Sequence, residues 1–94
     1  MLLTSSTFAQ NLKGTVVNEK KQPLEDIGIF NQNTGQHSHT NASGSFILSK
    51  TFVGDSVYFS SLGYKTKLIN VLQNNLDAGI SVTMSESSIS LSQV

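Results

Sequence analysis

The sequence predicts an all-β protein, a single seven- or eight-stranded Greek-key β-sandwich, and three observations support this prediction. Short runs of residues alternate between apolar and polar side chains, which is the pattern of strands with one buried face. Clusters of Asn, Asp, Gly and Ser separate these runs, as expected for turns between strands. No segment carries apolar residues at helical spacing over three turns.

The alternation places each element in order. Predicted strands span residues 12–18, 26–31, 36–41, 45–50, 56–61, 64–72, 80–85 and 88–94. Turns are predicted over 19–24, 32–35 and 51–55, and a loop over 73–79, where polar residues and glycine gather. The inward positions of the strands give a predicted core of Val16, Ile27, Ile29, Phe46, Leu48, Val57, Phe59, Ile80 and Val82.

The segment Asn41-Ala42-Ser43-Gly44 lies between two predicted strands and indicates a hairpin turn. Asn suits the first position of such a turn because its side chain accepts hydrogen bonds from nearby backbone N–H groups. Gly44 suits a position with positive φ. Because no helix is predicted after it, a phosphate-binding loop is not supported. Phe46 is expected to anchor the next strand in the core.

A chain of 94 residues provides at most one small domain. We assign it to residues 11–86, with residues 87–94 as a last strand or the start of a linker to a downstream region. Residues 1–10 end in Thr7-Phe8-Ala9 before Gln10, which is typical of the end of a secretory signal peptide. These residues are therefore interpreted as a signal-peptide remnant, or alternatively as a disordered tail.

Composition excludes several functions. The chain has six cationic residues, all lysine, and a formal net charge of zero, so it lacks the basic field that draws in nucleic acid. Without arginine there is no fork-shaped anion site. Without cysteine there are no disulfides, thiolate metal sites or cysteine nucleophiles. No apolar run approaches the length of a transmembrane helix, so the chain is not expected to span a membrane.

His37 and His39 are the candidate metal ligands. Residues two apart on a strand share a face, so both imidazoles would be available to one metal ion. However, a metal site needs three or four ligands, and the sequence pattern does not identify a third ligand. Asp26 and Asp55 are the remaining options. Two exposed polar residues beside a turn are therefore the preferred interpretation, and no metal or cofactor is expected.

Catalytic residues are not indicated. The sequence has no Gly-x-Ser-x-Gly nucleophile motif. Glu25 and Asp26 are adjacent acids, but neighbours on a strand point to opposite faces and make a poor acid/base pair. We therefore predict that the protein is not an enzyme, and loss of turnover on changing His37 or His39 would overturn that prediction.

The order of these features resembles the carboxypeptidase-regulatory-like domain family. The residues that carry the resemblance are Gly14 and Val16, Pro23 and Leu24, Thr40, Gly44 and Phe46, then Ser60, Gly63 and Tyr64. Asn41 stands where the family usually has Asp, and Ile27 where it often has Ala. The resemblance covers roughly residues 12–85, and it implies a transthyretin-like (prealbumin-like) sandwich with Gly14, Pro23, Gly44, Phe46, Gly63 and Tyr64 as its structural signature.

The segment Ser61-Leu62-Gly63-Tyr64-Lys65-Thr66 is similar to the version of this domain at the N-terminus of TonB-dependent outer-membrane receptors of Gram-negative bacteria. That resemblance implies an exported protein, located in the periplasm or at the outer membrane. The end of the chain, Leu91-Ser92-Gln93-Val94, looks like the start of the segment that leads onward in such receptors. Tyr64 is expected to pack at the sandwich edge, with Gly63 allowing a bend.

The expected function is a non-enzymatic accessory or interaction domain. Its partner would be a neighbouring domain or a periplasmic or outer-membrane protein, docked through exposed strand edges and loops. The alternative is a free-standing secreted sandwich that binds carbohydrate or protein. That alternative would need an exposed aromatic platform.

Overall fold

The structure, a computed structural model, describes residues 9–87. Within this range it contains seven strands and one helix. The all-β class is confirmed. The predicted strand over 88–94 and most of the predicted signal remnant lie outside the described residues. The elements are β1 (Gln10–Val17), β2 (Gly28–Asn31), β3 (His37–His39), β4 (Ser45–Thr51), β5 (Ser56–Ser60), β6 (Lys67–Asn70), α1 (Gln73–Ala78) and β7 (Ile80–Thr83).

The strands form two sheets that face each other as a sandwich. The three-stranded sheet has the order β4-β1-β7, and the four-stranded sheet has the order β3-β2-β5-β6. All neighbours in the four-stranded sheet are antiparallel. In the three-stranded sheet β1 pairs antiparallel with β4 but parallel with β7. β1 begins at Gln10, one residue before the domain boundary assigned from the sequence.

Apolar side chains from both sheets meet in one core between the layers. Phe46 on β4 and Phe59 on β5 make an edge-to-face contact across it, with ring centroids 5.5 Å apart and planes at 73°. Eight of the nine predicted core residues are buried. The buried apolar residues are Leu12, Val16, Ile27, Ile29, Phe46, Leu48, Val57, Phe59, Val71, Val82 and Met84.

Ile80 is the exception among the predicted core residues, because it is only half-buried. It opens the edge strand β7, where one side of the strand has no neighbour among the described residues to cover it. Three buried apolar residues were missed by the prediction, Leu12, Val71 and Met84. Val71 and Met84 lie just past the ends of β6 and β7, where they continue the alternation of Ile69 and Val82 by one further inward position.

The turn at residues 41–44 has the predicted chemistry but a different role. The Asn41 Oδ1 accepts hydrogen bonds from the backbone N–H groups of Ser43 (2.9 Å) and Ser45 (3.0 Å). Gly44 has a φ of +76°. The hairpin assignment is wrong, however, because β3 and β4 belong to different sheets. The turn therefore carries the chain across the core from one layer to the other.

The predicted loop over 73–79 is wrong, since residues Gln73–Ala78 form the short helix α1. The Asn75 Oδ1 accepts a hydrogen bond from the Leu72 backbone N–H at 2.8 Å, which satisfies one donor at the start of the helix. Leu76 packs against the core. Six residues make less than two turns, too few for a helical period to be visible in the sequence.

Several predicted strands, β2, β3, β5, β6 and β7, are shorter than expected. β6 covers only Lys67–Asn70 of the predicted 64–72, and β2 begins at Gly28 rather than at residue 26. Ahead of β6, the backbone N–H of Lys65 donates to the Ser85 carbonyl at 2.8 Å, so the chain after β7 crosses to this edge. In the part of the chain that the structure describes, no helix is long and apolar enough to cross a membrane.

Candidate functional site

A row of apolar and aromatic side chains crosses the outer face of the four-stranded sheet. Directly opposed residues define it, one from each strand: His37 pairs with Phe30, Phe30 with Tyr58, and Tyr58 with Leu68. Side chains directly opposite each other in an antiparallel pair have Cβ atoms about 5 Å apart. The four side chains therefore form one continuous line, which we call the aromatic row.

Because successive side chains of each strand alternate between the two faces of the sheet, those of the aromatic row point away from the core. On β2, Phe30 is 44% exposed while its neighbours Ile29 and Asn31 are buried. Tyr58 on β5 is half-buried between two buried residues. Leu68 on β6 is 48% exposed. Two exposed apolar residues, Phe30 and Leu68, in register with the half-buried Tyr58 differ from apolar residues scattered singly over a surface. Grouped apolar side chains with a polar rim are typical of binding sites.

Small polar residues flank the aromatic row on both sides. On one side Ser56 and Asn70 are directly opposed, and the Asn70 Nδ2 donates to the Ser56 Oγ at 3.2 Å. On the other side His39, Gly28 and Ser60 continue across the sheet in the same register. Among the strand residues of this face there is no carboxylate and no lysine, so its hydrogen-bonding groups are hydroxyls, an amide and imidazoles.

His37 and His39 lie on one face, as their spacing predicts. Both are exposed, opposite Phe30 and Gly28 respectively. Neither suggested additional ligand joins them, because Asp55 is buried and Asp26 lies in the bend before β2. Across residues 9–87 there is no group of three or more His, Cys, Asp or Glu side chains able to hold a metal ion. The pair thus belongs to the aromatic row and its rim.

Asp55, which the sequence offered as a possible further metal ligand, is instead held in a hydrogen-bond network. Its Oδ2 accepts hydrogen bonds from the Asn31 Nδ2 (2.8 Å) and from the Phe52 backbone N–H (2.9 Å). The Asn31 Oδ1 in turn accepts from the Asn33 backbone N–H at 2.9 Å. This network closes the turns at one end of the four-stranded sheet, which is a structural role.

Glu25 and Asp26 are both exposed and lie in a bend, so Asp26 falls outside the strand that was predicted over 26–31. Asp26 has a φ of +65°. Its backbone N–H donates to the Thr40 carbonyl at 2.9 Å, which holds the bend against the end of β3. The two acids therefore flank a structural connection.

Three of the signature residues meet around β1. Gly14 has no room for a side chain, because a Cβ there would clash with the Ile80 carbonyl oxygen and lie 2.7 Å from the Ile80 Cγ2. Gly44 is buried, and a Cβ on it would lie 2.7 Å from the Val16 carbonyl oxygen and 3.1 Å from the Pro23 Cβ. These glycines let β7 and the turn at 41–44 approach β1 closely.

The other signature residues lie in the core and at its edge. Phe46 is buried in the contact with Phe59 described above. Gly63 lies in the turn after β5, where the Tyr64 backbone N–H donates to the Ser61 carbonyl at 3.2 Å. Tyr64 packs partly buried against the core and bridges to Glu86. All six signature residues thus occupy structural positions, and none lies in the aromatic row.

The sequence alone indicated which face of its strand each side chain of the aromatic row occupies, but not that these side chains lie next to one another. The run Ser56–Ser60 shows Tyr58 on the face opposite Val57 and Phe59, and β2 likewise separates Phe30 from Ile29. Alternation assigns faces within one strand, but it does not say which residues of different strands are opposed. The pairing register of four strands was required to bring these side chains together.

Comparison with known proteins supports the resemblance found in the sequence. Residues 12–94 match the family described as the CarboxypepD_reg-like domain. No curated protein matches the chain significantly. The match spans nearly the whole chain and contains both sheets, the turn at 41–44 and all six signature residues. This protein belongs to the CarboxypepD_reg-like domain family.

Proposed function

We propose that the protein is a non-catalytic accessory domain of the cell envelope, the periplasmic N-terminal domain of a TonB-dependent outer-membrane receptor. The observation that carries the proposal is the family match over residues 12–94, together with the Ser61–Thr66 segment that resembles this receptor-associated version. The β-sandwich is compatible with this role, because it has loops and strand edges available for contact with a partner.

Contact with a neighbouring domain or envelope protein is the mechanism in this proposal. β4 is seven residues long, the longest of the strands that end a sheet among residues 9–87. Ile47, in its middle, is 55% exposed. A long edge strand with free backbone groups is suited to pairing with an extended segment of a partner. Binding of this kind needs no catalytic residue.

The gene itself provides the first test. We expect the reading frame to continue past the Val94 codon into a long region of alternating strands bounded by aromatic residues, typical of an outer-membrane barrel. The tagged full-length product should fractionate with the outer membrane. A stop codon directly after Val94, with the product released into the medium, would contradict this proposal and favour the free-standing secreted module.

A further inference from the structure

The aromatic row is not used by the proposed function, and we infer that it is a binding site for a neutral polysaccharide chain. The inference goes beyond that proposal, since it concerns a face of the sandwich and not the edge of β4. It rests on the geometry of the row, on the chemistry of its rim and on its area.

The geometry suits an extended ligand. Neighbouring strands lie about 4.8 Å apart, so the row from His37 to Leu68 runs about 14 Å across the sheet. Phe30 and Tyr58 form its centre. The face is a sheet surface and not a cleft, whereas compact metabolites are generally enclosed in concave pockets. A flat line of side chains instead fits successive units of a polymer.

The chemistry suits a sugar ring. A pyranose has faces made of C–H groups, which are apolar and slightly positive, and the face of an aromatic ring is slightly negative. Its hydroxyl groups need partners that donate and accept hydrogen bonds. Ser56, Ser60 and Asn70 supply uncharged groups of this kind beside the rings. Because the outward-facing residues of these strands include no carboxylate or lysine, the match is to a ligand without charge.

Area disfavours a protein partner or a second copy of the chain. An aromatic side chain buries about 150–250 Å² when fully enclosed. Phe30 and Leu68 are 44% and 48% exposed and Tyr58 is less exposed, so the four side chains of the row together offer roughly 300 Å². A stable protein interface needs about 800 Å² on each partner. The rim residues add little apolar area, since two are serines and Gly28 has no side chain. A polysaccharide stacks on single rings and does not need the larger area.

Titration of the full 94-residue chain with neutral oligosaccharides tests the inference. Cellohexaose, maltohexaose and mannohexaose would be the probes, and backbone amide shifts in NMR the readout. We expect shifts with at least one of them, concentrated on the four strands that carry the row, β3, β2, β5 and β6. Phe30→Ala and Tyr58→Ala should each weaken binding by about tenfold or more. Tyr58→Phe keeps the ring and should retain binding within about threefold.

Val53→Ala is the matched control, because Val53 is an exposed apolar residue in the turn between β4 and β5, outside the aromatic row and its rim, and its loss should leave saccharide binding unchanged. Retention of the wild-type amide spectrum outside the row would show that each variant is folded. No shift with any of the three oligosaccharides overturns the inference, as does binding that survives both alanine variants. Concentration-dependent dimerisation abolished by Tyr58→Ala would also overturn it, since a second copy would then cover the row.

Discussion

Asp55 shows how a single charged residue can be structural. It is 8% exposed, and its Oδ2 accepts from both the Asn31 Nδ2 and the Phe52 backbone N–H. Asn31 is fully buried, so its amide has no access to water as a replacement partner. A buried donor left without an acceptor costs about 1–3 kcal/mol.

The loss of stability on replacing Asp55 should therefore depend on whether the new side chain still has an oxygen that accepts these hydrogen bonds. We expect Asp55→Ala to lower the free energy of unfolding by about 2–3 kcal/mol, because two donors lose their acceptor. Asp55→Asn retains one side-chain oxygen and should cost only about 1 kcal/mol. Urea denaturation of the two variants measures the difference. Equal losses would mean that the charge, and not the acceptor oxygen, holds this turn together.

At the scale of elements, β1 organises the three-stranded sheet because it lies between β4 and β7. Its close parallel pairing with β7 depends on Gly14, which faces Ile80 at the start of that strand. α1 contacts β1 and precedes β7, and its Leu76 packs against the core. The helix is too short to be stable alone, so tertiary contact stabilises it.

Gly14→Ala should consequently weaken the β1–β7 pairing. A Cβ in this position overlaps the Ile80 backbone, and overpacking of this kind costs about 1–3 kcal/mol. Gly28→Ala is the matched control, since a Cβ on Gly28 would lie 3.4 Å from its nearest neighbour, the Ser60 carbonyl oxygen. It should change stability by no more than about 0.5 kcal/mol. Thermal unfolding of both variants provides the measurement, and a Gly14→Ala protein as stable as wild type would refute this account.

For the whole molecule, the two sheets are joined through one core. Phe46 comes from the three-stranded sheet and Phe59 from the four-stranded sheet, and their rings meet edge to face. Such a contact contributes about 0.5–1.5 kcal/mol beyond the burial of area. Neither sheet buries its inner face without the other, so the two layers should unfold together.

A double-mutant cycle measures this connection between layers. We expect Phe46→Leu and Phe59→Leu each to destabilise the protein, and the double variant to lose less than the sum by about 0.5–1 kcal/mol. Chemical denaturation followed by circular dichroism and by tyrosine fluorescence would give the three values and test whether both probes report one transition. Additive losses, or two separate transitions, would indicate layers that are energetically independent.

The sequence alone determined the elements whose signal is local. Alternating residues specified most strands and eight of the nine predicted core positions, because a side chain on a strand points to one of two faces. Asn41 and Gly44 specified the turn at 41–44, because its hydrogen bonds and positive φ lie within five residues. The family resemblance also depended only on the order of such local features.

Only the tertiary structure decided which elements lie beside one another. It placed β3 and β4 in different sheets, turned residues 73–78 into a helix supported by the core, and left Ile80 half-buried at an edge. It also aligned His37, Phe30, Tyr58 and Leu68 in one row. The physical reason is that strand pairing and layer packing join residues far apart in the chain, and alternation within one strand carries no information about its partner.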